Sequence, residues 1–338
     1  MRKTFLMIVA MLSCLVAPPL AAAENNVVTE PFVGVRVIHS KSMEPRQVDM
    51  WIVEIDPKAP GVSFLVTPSN GGLMGDTTPV TTREFVTKVG AQLGVNGSFF
   101  KFAGKGQYDV SGLSVSKGNV YSTFNPGYVD AINISRDGVA TVIRATGKDK
   151  GTFAKKTSFK SRKPKAPSPN PLPKGEDSKA KGDNSKKADP PVDLGTEHRP
   201  DVVLYNALSG RNRLVKNGKN VAGNATEIHP RTGAGVTKDG KLLLFTVDGR
   251  EPGRSGGMKF SEMADAMIRW GAEDAISLDG GGSTTFVMDD PATAANDPKV
   301  MNLPCDPIAK DEKGKEHGKE RPVGNNLAVF ARKKARGK

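Results

Sequence analysis

Short runs of β-branched and aromatic residues at period two, each closed by a Gly-bearing turn, recur along most of this chain. That rhythm leaves little room for anything but a sheet-rich fold. "VDMWIVEID" and "VSFLVTP" read as strands. "GLSVSKGNVYS" and "AINISRDGVATVI" read as hairpins turning at Lys117-Gly118-Asn119 and Arg136-Asp137-Gly138. "DVVLYNAL" and "GAGVTKDGKLLLFTVDGR" add further strands around a turn at Lys238-Asp239-Gly240. Helices are few. "TREFVTKVGAQL" sets Phe85, Val86 and Val89 on one face, with Thr81 or Thr82 as its cap. "SEMADAMIRWG" carries an apolar stripe of Met263, Met267 and Trp270, with Ser261 placed to cap it and Gly271 to stop it. The expected class is α+β, a mixed, largely β-sheet core flanked by a few helices.

Two stretches break the rhythm. Residues Met1–Ala23 have a basic start at Arg2 and Lys3, an apolar run broken by Pro18 and Pro19, and small residues before Glu24. This is the pattern of a secretory signal peptide, and the expected location is extracytoplasmic, periplasmic or secreted. Lipoprotein processing at Cys14 and an uncleaved anchor fit less well. Gly151–Thr196, rich in Pro, Ser and Lys, lacks the apolar surface to offset its ordering entropy and reads as a disordered insertion. The expected organisation is one domain over 24–150 and 197–331, interrupted by this insertion and followed by a basic tail at 332–338. A second polar patch, Asp311–Glu320, reads as an exposed loop.

The net charge of +13 is confined to such segments. Lys155–Lys187 carries 11 basic and 3 acidic residues, and Ala331–Lys338 carries five basic residues and no acids, so +8 and +5 make up the whole excess. A nucleic-acid binder carries its basic residues on a structured face interleaved with aromatics, so a nucleic-acid partner is not expected. Loose attraction to anionic envelope polymers through the insertion is the residual expectation. No segment is expected to span a membrane. Beyond residue 23 the only cysteine is Cys305, so no internal disulfide and no cysteine-based metal site is available.

The chemistry gathers at the ends of the apolar runs. "AISLDGGGSTTF" delivers Asp279 to the end of a buried strand and follows it at once with three glycines. The loop lacks the Lys-Ser/Thr of a phosphate-binding P-loop, and Ser283 fails the Gly-x-Ser-x-Gly pattern of a nucleophile elbow. His39, His198, His229 and His317 are scattered, which argues against a Ser–His hydrolase or a histidine-bound zinc. Of these only His229, two residues before Arg231, is a candidate for the site. What remains is a set of polar groups abutting strands: Asn96, Arg231-Thr232, Asp248-Gly249-Arg250, Asp279 and Asn325-Asn326. Any one of them is an ordinary turn residue. Together, with two arginines among them, they favour an anionic ligand, because guanidinium presents a planar fork that matches phosphate or carboxylate.

"GVNGSFF", "RTGAGVTKDGKLLLFTVDGR", "KFSEMADAMIRWGAEDA", "SLDGGGSTTF" and "RPVGNNLAVF" stand in an order that resembles the phosphodiester glycosidase family, over roughly Phe32–Ala331. The resemblance implies one domain whose two halves share a core, and a pocket lined by these motifs. It carries Asp248, Asp279 and Arg231 over as catalytic residues. It carries Asn96, Thr232, Arg250, Gly280, Gly281, Gly282, Ser283 and Arg321 over as substrate-binding residues. The chain departs from the family pattern at Ser277 and Ser98 and in the charged stretch between Asp289 and Arg321, which bears on the substrate more than on the reaction.

The expectation is therefore an exported hydrolase acting on a sugar-1-phosphodiester. Arg231, Arg250 and the amides of Gly280–Ser283 would neutralise the phosphate, Asp248 or Asp279 would act as base or nucleophile, and Asn96 would hold sugar hydroxyls. The alternative is a non-catalytic module that binds polysaccharide with the same cluster. No cofactor is expected. Asp248, Asp279 and Asn96 are oxygen ligands of the kind a divalent cation prefers, but no spacing demands one.

Overall fold

The computed structural model describes residues 25–43, 46–145, 202–293, 296–310 and 316–334. The segments read as a signal peptide and as the insertion, 1–23 and 151–196, lie outside the described residues.

Three antiparallel sheets make the core. The largest has eight strands in the order Asn25–Phe32, Val35–Ser42, Val48–Ile55, Leu242–Val247, Arg231–Thr237, Ala272–Ser277, Arg213–Lys216 and Lys219–Asn220. A five-stranded sheet runs Ala140–Arg144, Asp130–Ile134, Asn206–Gly210, Ser114–Ser116 and Asn119–Ser122. A second one runs Lys299–Val300, Phe286–Met288, Leu93–Asn96, Asn326–Phe330 and Ser63–Val66. Asp130–Ile134 pairs with Asn206–Gly210, and Val48–Ile55 with Leu242–Val247, so segments from both sides of residues 146–201 share sheets.

The period-two pattern explains how the large sheet is covered on both faces. In Leu242–Val247 every residue is buried. Leu242 and Leu244 point into a core with Ile132, Leu208, Leu93, Phe286 and Leu327 from the two smaller sheets. Leu243, Phe245 and Val247 point the other way, toward Met263 and Met267. A strand sandwiched in this way reads as a continuous apolar run rather than an alternating one.

Among the described residues there are two α-helices. α1 (Thr82–Val89) begins with a capping box: the Thr81 hydroxyl accepts from Glu84 N and Glu84 accepts from Thr81 N. It ends at Gly90 with φ +72°, the left-handed conformation glycine adopts at lowest cost. Phe85 and Val86 bury against Leu65, Val287 and Ala328 of the second five-stranded sheet. α2 (Phe260–Arg269) starts earlier than Ser261 would dictate. Glu262 accepts from Lys259 N at 2.9 Å, and Arg46 clasps the same carboxylate at 2.6 and 2.9 Å. Glu262 thus caps the helix from inside its first turn, and Ser261 is not needed for it.

Two hairpins complete the fold, Phe100–Gly104 with Gln107–Val110 and Asp306–Lys310 with Glu316–Lys319. The second corrects the C-terminal part of the reading of Asp311–Glu320 as a loop: Glu316–Lys319 is a strand paired with Asp306–Lys310, and residues 311–315 lie outside the described residues.

Candidate active site

Antiparallel register gathers the polar strand ends. Arg231 pairs with Val247 on one side, and Gly233 pairs with Ser277 on the other. The start of Arg231–Thr237 therefore lies beside the ends of both its neighbours. Arg250 follows the first of those ends and Asp279 the second. Leu278 N donates to Thr232 O, and Asp279 N donates to Gly97 O, both at 2.9 Å, so the second five-stranded sheet meets the large sheet at this edge.

These ends enclose a cleft of about 660 Å³ whose walls include Arg231, Arg250, Asp279, Arg321 and the Gly280–Gly282 loop. Arg231 is 8% exposed and donates to two neutral carbonyls, Met258 O at 3.0 Å and Glu227 O at 2.7 Å. Its guanidinium lies 3.7 Å over the Phe260 ring. Arg250 donates to His229 Nδ1 at 3.1 Å and to Cys305 Sγ at 3.7 Å, again neutral acceptors. Among the described residues neither guanidinium has a carboxylate within ion-pairing distance. Burial pushes Arg231 down to about 10, with the Glu227 charge opposing and the Arg250 charge adding to the shift. A desolvated cation without a counter-ion is costly, and an incoming anion removes that cost.

His229 accepts from Arg250, so its proton sits on Nε2. Burial, then the charges of Arg231 and Arg250, push its pKa below the ordinary imidazole value, so it is neutral at physiological pH. Arg321 makes a two-pronged ion pair with Asp306, Nε to Oδ2 at 2.6 Å. Burial raises Asp279 to about 6, opposed by the Ser283 hydroxyl, the Gly280 amide at 3.0 Å and the Arg321 charge. The Ser283 hydroxyl is fully buried and makes no well-formed hydrogen bond of its own. At neutral pH Asp279 is ionised and titrates in the range suited to a general base.

The glycine loop serves a different purpose from the cradle of free amides read in the sequence. Gly280 N donates to the Asp279 carboxylate, Gly281 N to Pro230 O and Ser283 N to Gly280 O, which leaves at most the Gly282 N–H for a ligand. The loop closes on itself as a short 3₁₀ turn, and that turn consumes its donors. Small residues are required here by side chains packed over the loop. A Cβ on Gly282 would stand 1.9 Å from Asp306 Oδ1 and 2.3 Å from Arg321 Nη2, and Gly281 has φ +62°.

Four residues expected to touch substrate lie behind the cleft, the fully buried Ser283 among them. Asn96 is fully buried; its amide donates to Asp279 O at 2.7 Å, and its Oδ1 accepts from Thr232 Oγ1 at 2.7 Å and from Thr285 N at 3.1 Å. Thr232 is buried against it. Asp248, 1% exposed, accepts from Asn302 Nδ2 at 2.9 Å and from Leu303 N at 3.0 Å, and pairs with Arg254 at 3.1 Å. Burial raises its pKa to about 6, against the pull of Asn302, Leu303 and Arg254. Held by three donors and absent from the cleft lining, Asp248 is not placed to attack a substrate, and the half-buried Asp279 is the expected carboxylate that lines it. Of the oxygen set Asp248, Asp279 and Asn96, only Asp279 lines the cleft, and the other two carry protein donors. Among the described residues no group of three His, Cys, Asp or Glu side chains gathers to hold a metal.

The cleft also contains residues outside the sequence reading. Phe99, Arg211, Asn212 and Glu227 line it with Phe260. Arg211 follows the strand Asn206–Gly210 in "SGRNRL" and obeys the strand-end rule that found Arg250. Glu227 and Phe260 lie in loop and helix contexts that carry no such signal. Among the described residues no helix is long and apolar enough to cross a membrane.

Residues 89–330 match the profile of the phosphodiester glycosidase family. The human N-acetylglucosamine-1-phosphodiester alpha-N-acetylglucosaminidase is 43% identical over 61 residues, a stretch covering 18% of this chain and 12% of the human protein. The zebrafish enzyme of the same name, in a catalytic-domain structure described as auto-inhibited by its pro-peptide, superposes with a TM-score of 0.53 over 91% of this chain and 88% of that one, at 19% identity. A hypothetical protein from Synechocystis superposes with a TM-score of 0.55 over 93% of this chain and 69% of that one, at 16% identity. At these identities the superpositions speak to fold. The profile, which spans most of the chain, speaks to family.

Proposed function

The chain belongs to the phosphodiester glycosidase family, and from that premise we propose that it hydrolyses the bond between a sugar's anomeric carbon and phosphate in a sugar-1-phosphodiester. The observation that carries the reading is a single cleft where the half-buried carboxylate of Asp279 lies beside two guanidiniums, Arg231 and Arg250, that have no ion-paired carboxylate among the described residues. Ordinary glycosidases use one carboxylic acid to protonate a poor leaving oxygen and a second carboxylate for water or as nucleophile. A phosphomonoester leaves without a strong acid, so one carboxylate suffices once the charge that develops on the leaving oxygen is neutralised.

In this scheme Asp279 takes a proton from a water molecule. The water oxygen bonds to the anomeric carbon, and the bond from that carbon to the phosphate oxygen breaks. Arg231 and Arg250 stabilise the second negative charge that appears on the phosphate. His229, neutral and bearing its proton on Nε2, adds a donor. The substrate is an envelope or extracellular glycan phosphodiester, reached after export directed by residues 1–23.

The test is a panel of sugar-1-phosphodiesters hydrolysed in ¹⁸O-water by wild type and Asp279→Asn. The expected result is turnover by wild type, label in the free sugar, and loss of turnover in the variant. Label in the phosphate would move the cleavage to the P–O bond. Tight binding of these compounds or of polysaccharide without turnover would favour a binding module over an enzyme.

A further inference from the structure

Resting on the reading that the cleft receives a phosphate, we propose that Asp248 is a positioning residue, which holds the 302–306 segment as a fixed wall and through it sets Arg250, one of the two arginines that meet the phosphate, and Arg321 beside the glycine loop. The contacts form a continuous chain. Asp248 accepts from Asn302 Nδ2 at 2.9 Å and from Leu303 N at 3.0 Å. Asn302 is locked from its other side, since its Oδ1 accepts from Phe286 N at 2.7 Å and its Nδ2 also donates to Thr284 O at 3.0 Å.

Two residues further on, Cys305 Sγ accepts from Arg250, and Asp306 forks onto Arg321. Asp306 Oδ1 and Arg321 Nη2 sit where a Cβ on Gly282 would be. The wall thus packs on the glycine loop and contacts two arginines beside it, Arg250 through Cys305 and Arg321 through Asp306. Asp248 acts on Arg250 a second way, being two residues from it in a turn where Arg250 has φ +62°.

The Asp248 carboxylate accepts from every one of its side-chain partners among the described residues. Asn302 Nδ2, Leu303 N and Arg254 all donate to it, and Arg254 also reaches Asp49 at 3.4 Å. An amide in its place would turn one oxygen into a donor facing other donors, so Asp248→Asn keeps the shape and breaks the latch.

Cys305 reports on the wall without need of turnover. It is half-buried, and burial raises its thiol pKa, so it reacts slowly where it stands. The experiment compares full-length wild type, Asp248→Asn and Asn302→Ala at neutral pH. It reads alkylation of Cys305 by iodoacetamide through peptide mass mapping, the affinity for inorganic phosphate by calorimetry, and KM against kcat on any diester turned over. Both variants are expected to alkylate Cys305 about tenfold faster and to bind phosphate about tenfold more weakly, as loss of a charge-assisted contact implies. KM should rise more than kcat falls. Asn302→Ala leaves Asp248 and its charge in place, so it decides the matter if Asp248→Asn does not fold.

Alkylation and phosphate affinity within about twofold of wild type in a folded variant would overturn the proposal. So would faster alkylation with unchanged phosphate affinity, since the wall would then not position the arginines. A wild type that binds no phosphate, while the variants still expose Cys305, would sink the sugar-phosphate reading. The hold of Asp248 on the 302–306 segment would then be read from the alkylation alone, and its setting of an arginine for phosphate would fall with that reading.

Discussion

The carboxamide of Asn96 donates to the peptide oxygen of Asp279 at 2.7 Å, so a residue of one sheet holds the main chain of the candidate base delivered by another. The same side chain accepts from Thr232 and Thr285. Asn96→Ala would leave three buried polar groups without partners, at about 1–3 kcal/mol each if none finds water. We expect unfolding in urea to show a loss on the order of 3 kcal/mol, with turnover lowered but not abolished in whatever remains folded. A variant as stable as wild type that loses all activity would put Asn96 in contact with substrate instead.

Asp279 trades stability for function. Its folded pKa, raised to about 6, exceeds the unfolded value near 3.8, so the folded state holds its proton more tightly. The contribution of this group is therefore favourable at low pH and is lost as pH rises from about 4 through about 6. At pH 7 the site carries the cost of an ionised, desolvated carboxylate. Asp279→Asn removes that cost while still accepting from Gly280 N. It should be more stable than wild type at pH 7, on the order of 2 kcal/mol, and inactive. Wild-type activity should fall as pH drops through about 6, where the base takes up its proton. Differential scanning calorimetry of both proteins across this range checks the sign. A variant less stable than wild type at pH 7 would contradict it.

Arg231 is held by geometry as well as charge. It spans two carbonyls and stacks on Phe260, which a lysine ammonium cannot do at once. Arg231→Lys and Arg231→Ala should both lower kcat/KM on a sugar-1-phosphodiester by roughly 10²–10³, the scale of losing one preorganised stabiliser of developing charge. Neither should lose much stability, because the wild-type guanidinium is desolvated and has no ion-paired carboxylate among the described residues. Steady-state kinetics beside thermal melts separate the two effects. Near-normal turnover in Arg231→Ala would remove this group from the scheme.

The sequence made the site legible to the extent that local rules reach it. Strand runs and Gly-bearing turns are local properties, which is why the hairpin turn at Gly138 and the turn at Gly240 stand where their residues demand positive φ. The convergence of Arg231, Arg250 and Asp279 was legible too, because each abuts a buried run and antiparallel pairing brings such ends together. Depth was not legible. Asp248 and Asp279 both follow apolar strands and both precede glycine, yet only one lines the cleft. The difference lies in Asn302 and Leu303, more than fifty residues further along the chain from Asp248. The same limit explains the amides of the glycine loop, whose partners Pro230 O and Gly280 O are set by how the turn closes. The Glu262 cap of α2 was within reach of sequence, since it stands three residues after Lys259, but Ser261 is the stronger capping type and drew the start forward.

Adjacent glycines in that loop separate strain from clash. Gly281 sits at φ +62°, and a Cβ there would meet Arg250 only at an ordinary 3.4 Å, so Gly281→Ala should cost about 1 kcal/mol of backbone strain with modest effect on catalysis. Gly282 is not in the left-handed region, but its Cβ would fall 1.9 Å from Asp306 Oδ1 and 2.3 Å from Arg321 Nη2. Those are side-chain atoms, Arg321 on the cleft wall and Asp306 packed beside it, able to move away without unfolding the core. Gly282→Ala should therefore keep its melting temperature within a few degrees, the shift about 1 kcal/mol produces. It should break the Arg321–Asp306 fork and raise KM for the diester by about tenfold or more. Melts and kinetics on the pair of variants check this, and the opposite ordering would place the constraint in the backbone rather than in the side chains above the loop.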